Sequence, residues 1–442
     1  MTLATSRRPL LALAALTTLA LGACVGDGDG LITTTANPVP GGALFARYVS
    51  LGNSITAGFQ SGGIADSLQL RAYPVLLAAR AGATFNAPTL AGPGCPRPFT
   101  APLTPAAAAP PGSPCFRTTA PLYVSNLAVP GARIRDLFAI PANAFAPLYT
   151  LITGGRSQAQ AMIDAQPSFV SVWIGNNDAL SAAIGGNLGP AAAGLDSLLT
   201  PLAAFQASVA QMVTDIRASG AQGAAIIGVV NPALGAPILQ PGAYFFLARD
   251  PATGRFNGKL VNNNCSPVTA LGQPNPLAAN LVSFQIVADA NFPEINCDPA
   301  AYPVGDPRRG VHLLDTAEQV FVATRIAAYN AALQAAAAAN NWAYLDPNVI
   351  LATLRAEKDV AGRYQRLRKC QDLATATTAA QFQAAVLLSC PVTGPTAAPG
   401  FFGSLISFDG VHPSSEAHRV FTGVLAAAIN ARYGTTLSTS QT

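Results

Sequence analysis

The segment Tyr48-Val49-Ser50-Leu51-Gly52-Asn53-Ser54 places a mostly apolar run directly before a glycine, an asparagine and a serine. Short continuous apolar runs of this kind are typical of strands that are buried on both faces of a parallel sheet. In such a sheet, ligands and catalytic groups lie beyond the carboxyl ends of the strands. We therefore predict a first strand over residues 45–51 that presents Ser54 at the functional edge of the sheet.

Strand-like and helix-like segments alternate along the rest of the chain. The sequence predicts further strands at 123–128, 169–174, 223–230 and 342–345. It predicts helices at 74–80, 157–166, 201–219, 315–340 and 413–432. This order implies one doubly wound α/β domain with a mostly parallel five-stranded sheet and right-handed crossovers, and it argues against several independent domains.

Composition excludes two broad classes of protein. Half of the 442 residues are hydrophobic and only 10% are charged, so the chain can bury a core and is not a charged, disordered one. Mean hydropathy is high, at +0.34, but alanine accounts for much of it. No apolar run of about 18 residues free of proline and polar breaks occurs, which excludes a multi-span membrane protein.

The N-terminus has the three parts of a secretory signal over residues 1–23. A basic pair, Arg7-Arg8, precedes an apolar stretch that ends in Leu21-Gly22-Ala23-Cys24. That ending resembles the bacterial lipobox, whose cysteine is acylated and becomes the first residue after cleavage. An ordinary leader that happens to contain a cysteine is the alternative. Acyl chains on Cys24 would anchor the protein stably without a transmembrane helix.

Residues 24–43 are interpreted as a flexible tether, because their Gly/Asp alternation lacks the later ligands of a calcium loop. We therefore expect an exported, lipid-anchored protein of the bacterial cell envelope, in the outer membrane and facing the periplasm or the cell surface. Nucleic acid is not an expected partner, because the 25 basic residues are nearly balanced by 21 acidic ones and form no clustered basic face.

Six cysteines remain once Cys24 is set aside, and they occur as three couples of near neighbours. We predict the disulfides Cys95–Cys115, Cys265–Cys297 and Cys370–Cys390. Metal ligation is the rival interpretation, but Cys-x-x-Cys spacing is missing and the chain has only three histidines. Each couple falls in one long irregular segment, so we expect three disulfide-closed insertions, at about 84–122, 232–314 and 347–404, in a domain spanning 44–432 before a tail at 433–442.

Ser54 needs a base, because a serine hydroxyl is a weak nucleophile on its own. His412 lies in the segment Asp409-Gly410-Val411-His412-Pro413, directly before the last predicted helix. An aspartate three residues upstream can hold the imidazole in one tautomer and stabilise its cation. We therefore predict Ser54 as the nucleophile, His412 as its base and Asp409 as the residue that orients the base.

The other two histidines are weaker candidates for the base. His312 follows Gly310-Val311 in a similar segment, but Arg309 stands three residues upstream, and its fixed charge opposes formation of an imidazolium. His418 falls within the closing helix and is most simply interpreted as a surface or packing residue.

Acyl transfer also needs donors aimed at the developing oxyanion. Two predicted strand ends offer such donors: Gly131 has a backbone amide, and Asn177 has a side-chain amide. Each also has an ordinary interpretation. Gly131 after Pro130 is typical of a turn, and the segment 175–178 is typical of a loop that ends a strand.

Taken together and in this order, these blocks resemble those of the SGNH/GDSL hydrolase family, whose four letters correspond to Ser54, Gly131, Asn177 and His412. The resemblance extends over residues 45–432, the three insertions excepted. Its second block is the least specific, because it rests on Gly131 and a preceding asparagine. One departure is visible: Asn53 stands where the GDSL signature has aspartate, so the nucleophile is kept while a charge is lost.

The resemblance implies a three-layer α/β/α, flavodoxin-like fold and ester hydrolysis without a cofactor or metal. Ser54 attacks the acyl carbonyl, and His412, oriented by Asp409, carries the proton to the leaving alcohol. The Ser54 and Gly131 amides and the Asn177 side chain hold the oxyanion. No Gly-x-Ser-x-Gly elbow occurs, which argues against the α/β-hydrolase fold.

Two other functions use the same scaffold: a non-catalytic surface binding lipoprotein and an acyltransferase to a glycan. The intact set of candidate residues favours catalysis over binding. The expected substrate is a small acyl ester, a lipid or an acylated glycan. Phe59, Phe245-Phe246 and Phe401-Phe402 could line an apolar acyl site, although aromatic pairs in loops are more often packing residues.

Overall fold

The computed structural model describes residues 40–105, 115–118, 121, 123–186, 188, 199–370, 373, 378–391 and 400–441. Cys24, the predicted leader and the predicted tether through residue 39 lie outside these residues. The stretch from Val39 to Thr442 is one compact unit. Among the described helices, none is both long enough and apolar enough to cross a membrane.

The secondary-structure elements are numbered in chain order. The strands are β1 (Tyr48–Gly52), β2 (Phe169–Trp173), β3 (Gly223–Ile227), β4 (Leu239–Pro241), β5 (Arg255–Phe256), β6 (Lys259–Val261), β7 (Leu281–Ser283), β8 (Glu294–Ile295), β9 (Leu313–Leu314) and β10 (Ala343–Leu345). The first helices are α1 (Ser54–Ala57), α2 (Asp66–Gln69), α3 (Tyr73–Ala81), α4 (Ala146–Thr153), α5 (Gln158–Ala165), α6 (Asn177–Gly185) and α7 (Leu202–Ala218). The later helices are α8 (Pro232–Gly235), α9 (Gly242–Ala248), α10 (Gln285–Ala288), α11 (Thr316–Ala339), α12 (Pro347–Leu354), α13 (Ala379–Ser389) and α14 (Ser415–Tyr433). Short 3-10 helices lie at Gly42–Phe45, Ile134–Leu137, Asn263–Cys265 and Pro276–Ala279.

The central sheet consists of four parallel strands in the order β1-β2-β3-β10. Gly52 pairs with Trp173, and Trp173 pairs in turn with Ile227. Leu345 completes this row as the partner of Ile227. The carboxyl ends of the four strands therefore meet at one edge of the sheet, where the residues that follow them are brought together.

The sequence prediction of a fifth strand at 123–128 is wrong in detail. This segment runs parallel to β1, and the Ser50 amide donates to the Ser125 carbonyl while the Leu127 amide donates to the Ser50 carbonyl. Only Ser50 and Asn126 form a paired bridge. The Asn126 side chain accepts a hydrogen bond from the Ala128 amide, and this local bond interrupts a regular ladder.

Helices cover both faces of the sheet, as the predicted three-layer α/β/α fold requires. Along β2, Val170 and Val172 point into a core that includes side chains of α5, α7 and α11. Phe169 and Trp173 point to the opposite face, into a core with α3 and α14. The strand residues are buried on both faces, which explains why the strands are continuous apolar runs.

All three predicted disulfides are present, as Cys95–Cys115, Cys265–Cys297 and Cys370–Cys390. The second insertion is more regular than its sequence suggested. It contains two small three-stranded sheets, β4-β7-β9 and β5-β6-β8. The third insertion contributes helices α12 and α13, and α12 begins directly after β10 at the functional edge of the main sheet.

Candidate active site

Ser54 is the first residue of α1, directly beyond the end of β1. Asn53 caps this helix, since its Oδ1 accepts a hydrogen bond of 3.2 Å from the Ile55 amide. An asparagine therefore keeps the capping role at the position where the family signature has aspartate, and its Nδ2 has no partner among the described residues. Ser54 is only 7% exposed, so its environment is largely shielded from water.

The turn before Ser54 is fixed by Gln158, a residue that no sequence motif marks as functional. Its Nε2 donates to the Gly52 carbonyl at 2.9 Å, and its Oε1 accepts from the Gly52 amide at 3.0 Å. Gln158 is fully buried at the start of α5. Gln158 therefore fixes the position of the end of β1 relative to α5.

His412 links Ser54 to Asp409. The His412 Nε2 lies 2.8 Å from the Ser54 Oγ, and the His412 Nδ1 lies 2.8 Å from the Asp409 Oδ2. An ionised carboxylate can only accept, so the proton of the neutral imidazole lies on Nδ1 and Nε2 is free to accept from the serine hydroxyl. The Phe59 ring packs against the imidazole with 4.8 Å between ring centroids.

Asp409 is held by five donors. Its Oδ1 accepts from the amides of Val411 and His412 and from the Ser407 hydroxyl. Its Oδ2 accepts from the Gly62 amide at 2.6 Å and from the His412 imidazole. Burial alone would raise the pKa of Asp409, but the imidazole and these hydrogen bonds outweigh burial and lower the pKa to about 2.

The loop that carries Gly62 is clamped to the loop that carries Asp409. The Ser61 amide donates to the Ser407 Oγ at 2.8 Å, and the Phe408 amide donates to the Ser61 Oγ at 3.2 Å. Gly62 has a φ of +69°, and a Cβ at this position would lie 2.4 Å from the Phe99 ring. No local sequence pattern indicates this clamp, because its members are about 350 residues apart.

Gly131 and Asn177 lie at the same edge of the sheet. Gly131 has a φ of +77°, and a Cβ there would lie 2.5 Å from the Phe145 ring, so glycine is required. Its amide has no acceptor among the described residues. The Asn177 Nδ2 donates to the carbonyl of Ala132 at 2.9 Å, which leaves its second N–H uncommitted.

The other two histidines do not contact Ser54. His312 lies in the second insertion, where its Nε2 is 3.0 Å from Asp289 Oδ2. His418 is buried in α14, as a packing residue, and its Nδ1 accepts from the Tyr73 amide. Burial, followed by the proximity of His412, lowers the pKa of His418 to about 3 and keeps the ring neutral.

A cavity of about 110 Å³ opens beside Ser54, and its lining includes His412 and Asn177. Most of the remaining lining is aliphatic. Of the aromatic residues considered from the sequence, none lines this cavity. Phe59 packs on His412, and Phe245 and Phe402 pack against Phe284 in the core.

The described residues contain no group of three or more His, Cys, Asp or Glu side chains placed to hold a metal ion. The functional groups at this edge of the sheet are a hydroxyl, an imidazole, a carboxylate and amides. A hydrogen-bonded Ser–His–Asp chain beside uncommitted N–H donors is suited to nucleophilic attack on a carbonyl.

Solved structures similar to this chain include a variant of an acetyl-xylooligosaccharide esterase from a Geobacillus species, at 13% identity and a TM-score of 0.34. A catalytic variant of the acetylxylan esterase from Geobacillus stearothermophilus is similar at 12% identity and a TM-score of 0.33. Each comparison covers 89% of this chain and 96% of the other chain. At these values the similarity supports no argument about substrate. Among curated protein sequences, none matches this chain significantly.

A sequence model of one family does match, and it covers most of the chain. The match runs over residues 48–422, from the first residue of β1 into α14. It therefore includes the whole central sheet, Ser54, Asn177 and His412, together with the segments that the sequence alone identified. This protein belongs to the family of GDSL-like lipases and acylhydrolases.

Proposed function

We propose that this protein is a serine carboxylic-ester hydrolase in which Ser54, His412 and Asp409 form the catalytic triad. Membership of an acylhydrolase family supports the reaction class. The observation that carries the assignment of residues is the continuous hydrogen-bonded chain from Asp409 through His412 to the Ser54 hydroxyl, with both connecting distances at 2.8 Å. The apolar cavity beside Ser54 gives the substrate a place to bind.

In the first half of the reaction, the Ser54 Oγ forms a bond to the acyl carbon while its proton passes to the His412 Nε2. The ester C–O bond then breaks, and the imidazolium returns this proton to the departing alcohol. In the second half, water attacks the acyl-serine with His412 again as base, and the acid leaves. Asp409 stays ionised throughout, which is consistent with its lowered pKa.

Negative charge develops on the carbonyl oxygen in both tetrahedral intermediates. We assign its stabilisation to the amides of Ser54 and Gly131 and to the free N–H of the Asn177 side chain. Removal of one such donor in other enzymes costs on the order of 10²–10³ in kcat. The Asn177 bond to the Ala132 carbonyl holds the side chain in one orientation, so this donor needs no rearrangement as the reaction proceeds.

Hydrolysis of a short p-nitrophenyl ester tests the assignment. Ser54→Ala and His412→Ala should each abolish turnover, and Asn177→Ala should lower kcat on the order of 10²–10³. His312→Ala serves as the matched control, because His312 also pairs with an aspartate but does not contact Ser54. Full activity in Ser54→Ala would refute the triad. A fluorophosphonate that labels wild type but not Ser54→Ala would exclude a non-catalytic binding protein.

We also propose that the protein is exported and anchored to the bacterial cell envelope by acyl chains on Cys24, with residues 24–43 as a tether to the domain at 44–432. The lipobox-like ending of the leader supports this proposal. Cys24→Ser should abolish incorporation of labelled palmitate. A wild-type protein that is exported without the label would favour the alternative, an ordinary cleaved leader.

A further inference from the structure

The lining of the cavity beside Ser54 consists of a few polar groups and a larger set of apolar side chains. The hydroxyl, imidazole and amide groups of its lining belong to Ser54, His412, Asn176 and Asn177. Most of the rest of the lining is aliphatic and includes Ile350, Leu351, Leu354, Leu367, Leu405 and Ile406. An aliphatic lining of this kind favours hydrocarbon over a hydroxylated sugar ring, whose polar groups would find few partners there.

We propose that this cavity binds the acyl chain of the substrate, that it selects acyl groups of about four to six carbons over acetyl, and that α12 sets this limit. The inference rests on the proposed function, because it assumes that Ser54 is acylated. It extends that function by naming the acyl chain as the part of the substrate that the enzyme recognises and the cavity side chains that recognise it.

The size of the cavity sets the expected chain length. A dry cavity of about 150 Å³ accommodates benzene, which has six carbons. In proportion, the 110 Å³ available here holds about four carbons beyond the carbonyl. Acetyl esters would leave most of this space unfilled, whereas much longer chains would have to extend beyond it into solvent.

Helix α12, which contributes Ile350, Leu351 and Leu354 to the cavity lining, is held firmly enough to limit the length of a bound acyl chain. The Asp346 Oδ1 accepts from the Asn348 amide and so caps the helix at its start. The Asn348 side chain then binds the segment after β3, because its Oδ1 accepts from the Asn231 amide at 2.7 Å and its Nδ2 donates to the Val229 carbonyl at 2.9 Å. Helix α12 is thereby tied to the edge of the main sheet.

The two faces of α12 differ in a way that supports a binding role for one of them. Leu351 faces the cavity and also packs closely over Gly235, where a Cβ would lie 2.9 Å from the Leu351 Cδ1. Val349, on the same helix, is 68% exposed and is not part of the cavity lining. These two residues provide a matched pair for mutation, one inside the cavity and one outside.

The assignment to the acyl chain, and not to the alcohol, follows from the order of the reaction. The acyl group stays bound to Ser54 through both halves of the reaction, while the alcohol must leave for solvent and be replaced by water. A group that remains in place gains from an apolar cavity in both steps. The alcohol is therefore expected to face solvent.

Two ester series separate these possibilities in the wild-type protein. With p-nitrophenol as the constant alcohol and acyl chains of two to ten carbons, kcat/KM should rise on the order of fourfold per added methylene and peak at four to six carbons. With acetate as the constant acyl group and alcohols of two to eight carbons, kcat/KM should change little. A rise in the alcohol series with a flat acyl series would overturn the inference.

Mutation of α12 then tests its part of the cavity lining. Leu351→Trp should lower the ratio of kcat/KM for hexanoate to that for acetate by tenfold or more, whereas Val349→Trp should leave the ratio within twofold of wild type. Leu354→Ala should move the optimum toward longer chains by one or two carbons, and it gives an independent result if the tryptophan variants fold poorly. An unchanged ratio in Leu351→Trp and an unchanged optimum in Leu354→Ala would overturn the inference.

Failure of this inference and failure of the proposed function give different results. If Ser54 is not the nucleophile, the fluorophosphonate does not label it and no ester in either series is hydrolysed through it. If only the acyl inference is wrong, Ser54 is labelled and esters are hydrolysed, but the acyl series is flat or is best at acetate.

Discussion

Asp409→Asn provides the sharpest test of the site, because the substitution keeps the shape of the side chain and exchanges one acceptor for a donor. Three donors face the Oδ1 of Asp409, and two of them are backbone amides that cannot move away. The asparagine oxygen must therefore take the Oδ1 position. Its NH₂ group then takes the Oδ2 position, where it faces the Gly62 amide and the His412 Nδ1.

This placement reverses the histidine tautomer. With an NH₂ group opposite it, the His412 Nδ1 must accept a hydrogen bond, so the imidazole proton moves to Nε2. A protonated Nε2 cannot take the proton of the Ser54 hydroxyl. The wrong tautomer in a triad lowers kcat by about 10⁴. The Gly62 N–H also loses its acceptor, which should lower the free energy of unfolding by about 1–3 kcal/mol.

The assay is kcat with p-nitrophenyl butyrate, together with urea unfolding of the same preparations. Asp289→Asn is the matched control, because it makes the same change in the His312–Asp289 pair of the second insertion. We expect wild-type kcat in the control. If Asp409→Asn kept more than a tenth of wild-type kcat, Asp409 would not control the tautomer, and the mechanism as written would be wrong.

Three further predictions concern stability. Burial lowers the pKa of His418 to about 3, so the neutral ring stabilises the fold fully above its unfolded pKa of about 6.5, and this contribution falls as the pH drops toward 3. The free energy of unfolding in urea should therefore be about 2 kcal/mol lower at pH 5 than at pH 7 because of this group. His418→Gln should reduce this difference. Gly131→Ala should lower the free energy of unfolding by about 2 kcal/mol, because its φ of +77° disfavours any side chain, and kcat should fall as well. Replacing Cys95 and Cys115 by alanine opens a 20-residue loop and should cost about 3 kcal/mol in thermal or urea unfolding, whereas an unchanged midpoint would show that the insertion is held by packing alone.

Periodicity and capping residues predicted the core elements well. The capping box at Asp315 and Glu318 marks the start of α11 as expected, and the apolar runs mark β1, β2, β3 and β10 within a few residues. The segment at 123–128 has the same apolar character, but the Asn126 side chain satisfies the local backbone and stops regular pairing. A hydrophobic pattern does not show that a side chain competes with a neighbouring strand for backbone hydrogen bonds.

The candidate site was predictable where its residues are adjacent in sequence, and hidden where they meet only through folding. Asp409 and His412 are three residues apart, so their pairing could be inferred directly. Gly62, Gln158 and Leu351 have no such local signal: a glycine in a loop, a glutamine at a helix start and a leucine in a helix are all ordinary. Their roles arise from tertiary contacts with Asp409, Gly52 and the cavity.

The hydrogen bond between Ser54 and His412 joins residues that are 358 positions apart. A chain that is still on the ribosome carries the serine long before it carries the base, and α14, which packs on α3, is the last helix of the sheet's covering layer to be made. Hydrolysis therefore reports the folding of nearly the entire polypeptide. It also means that two separately expressed fragments, divided within the second insertion, should be inert alone and active only when they reassemble.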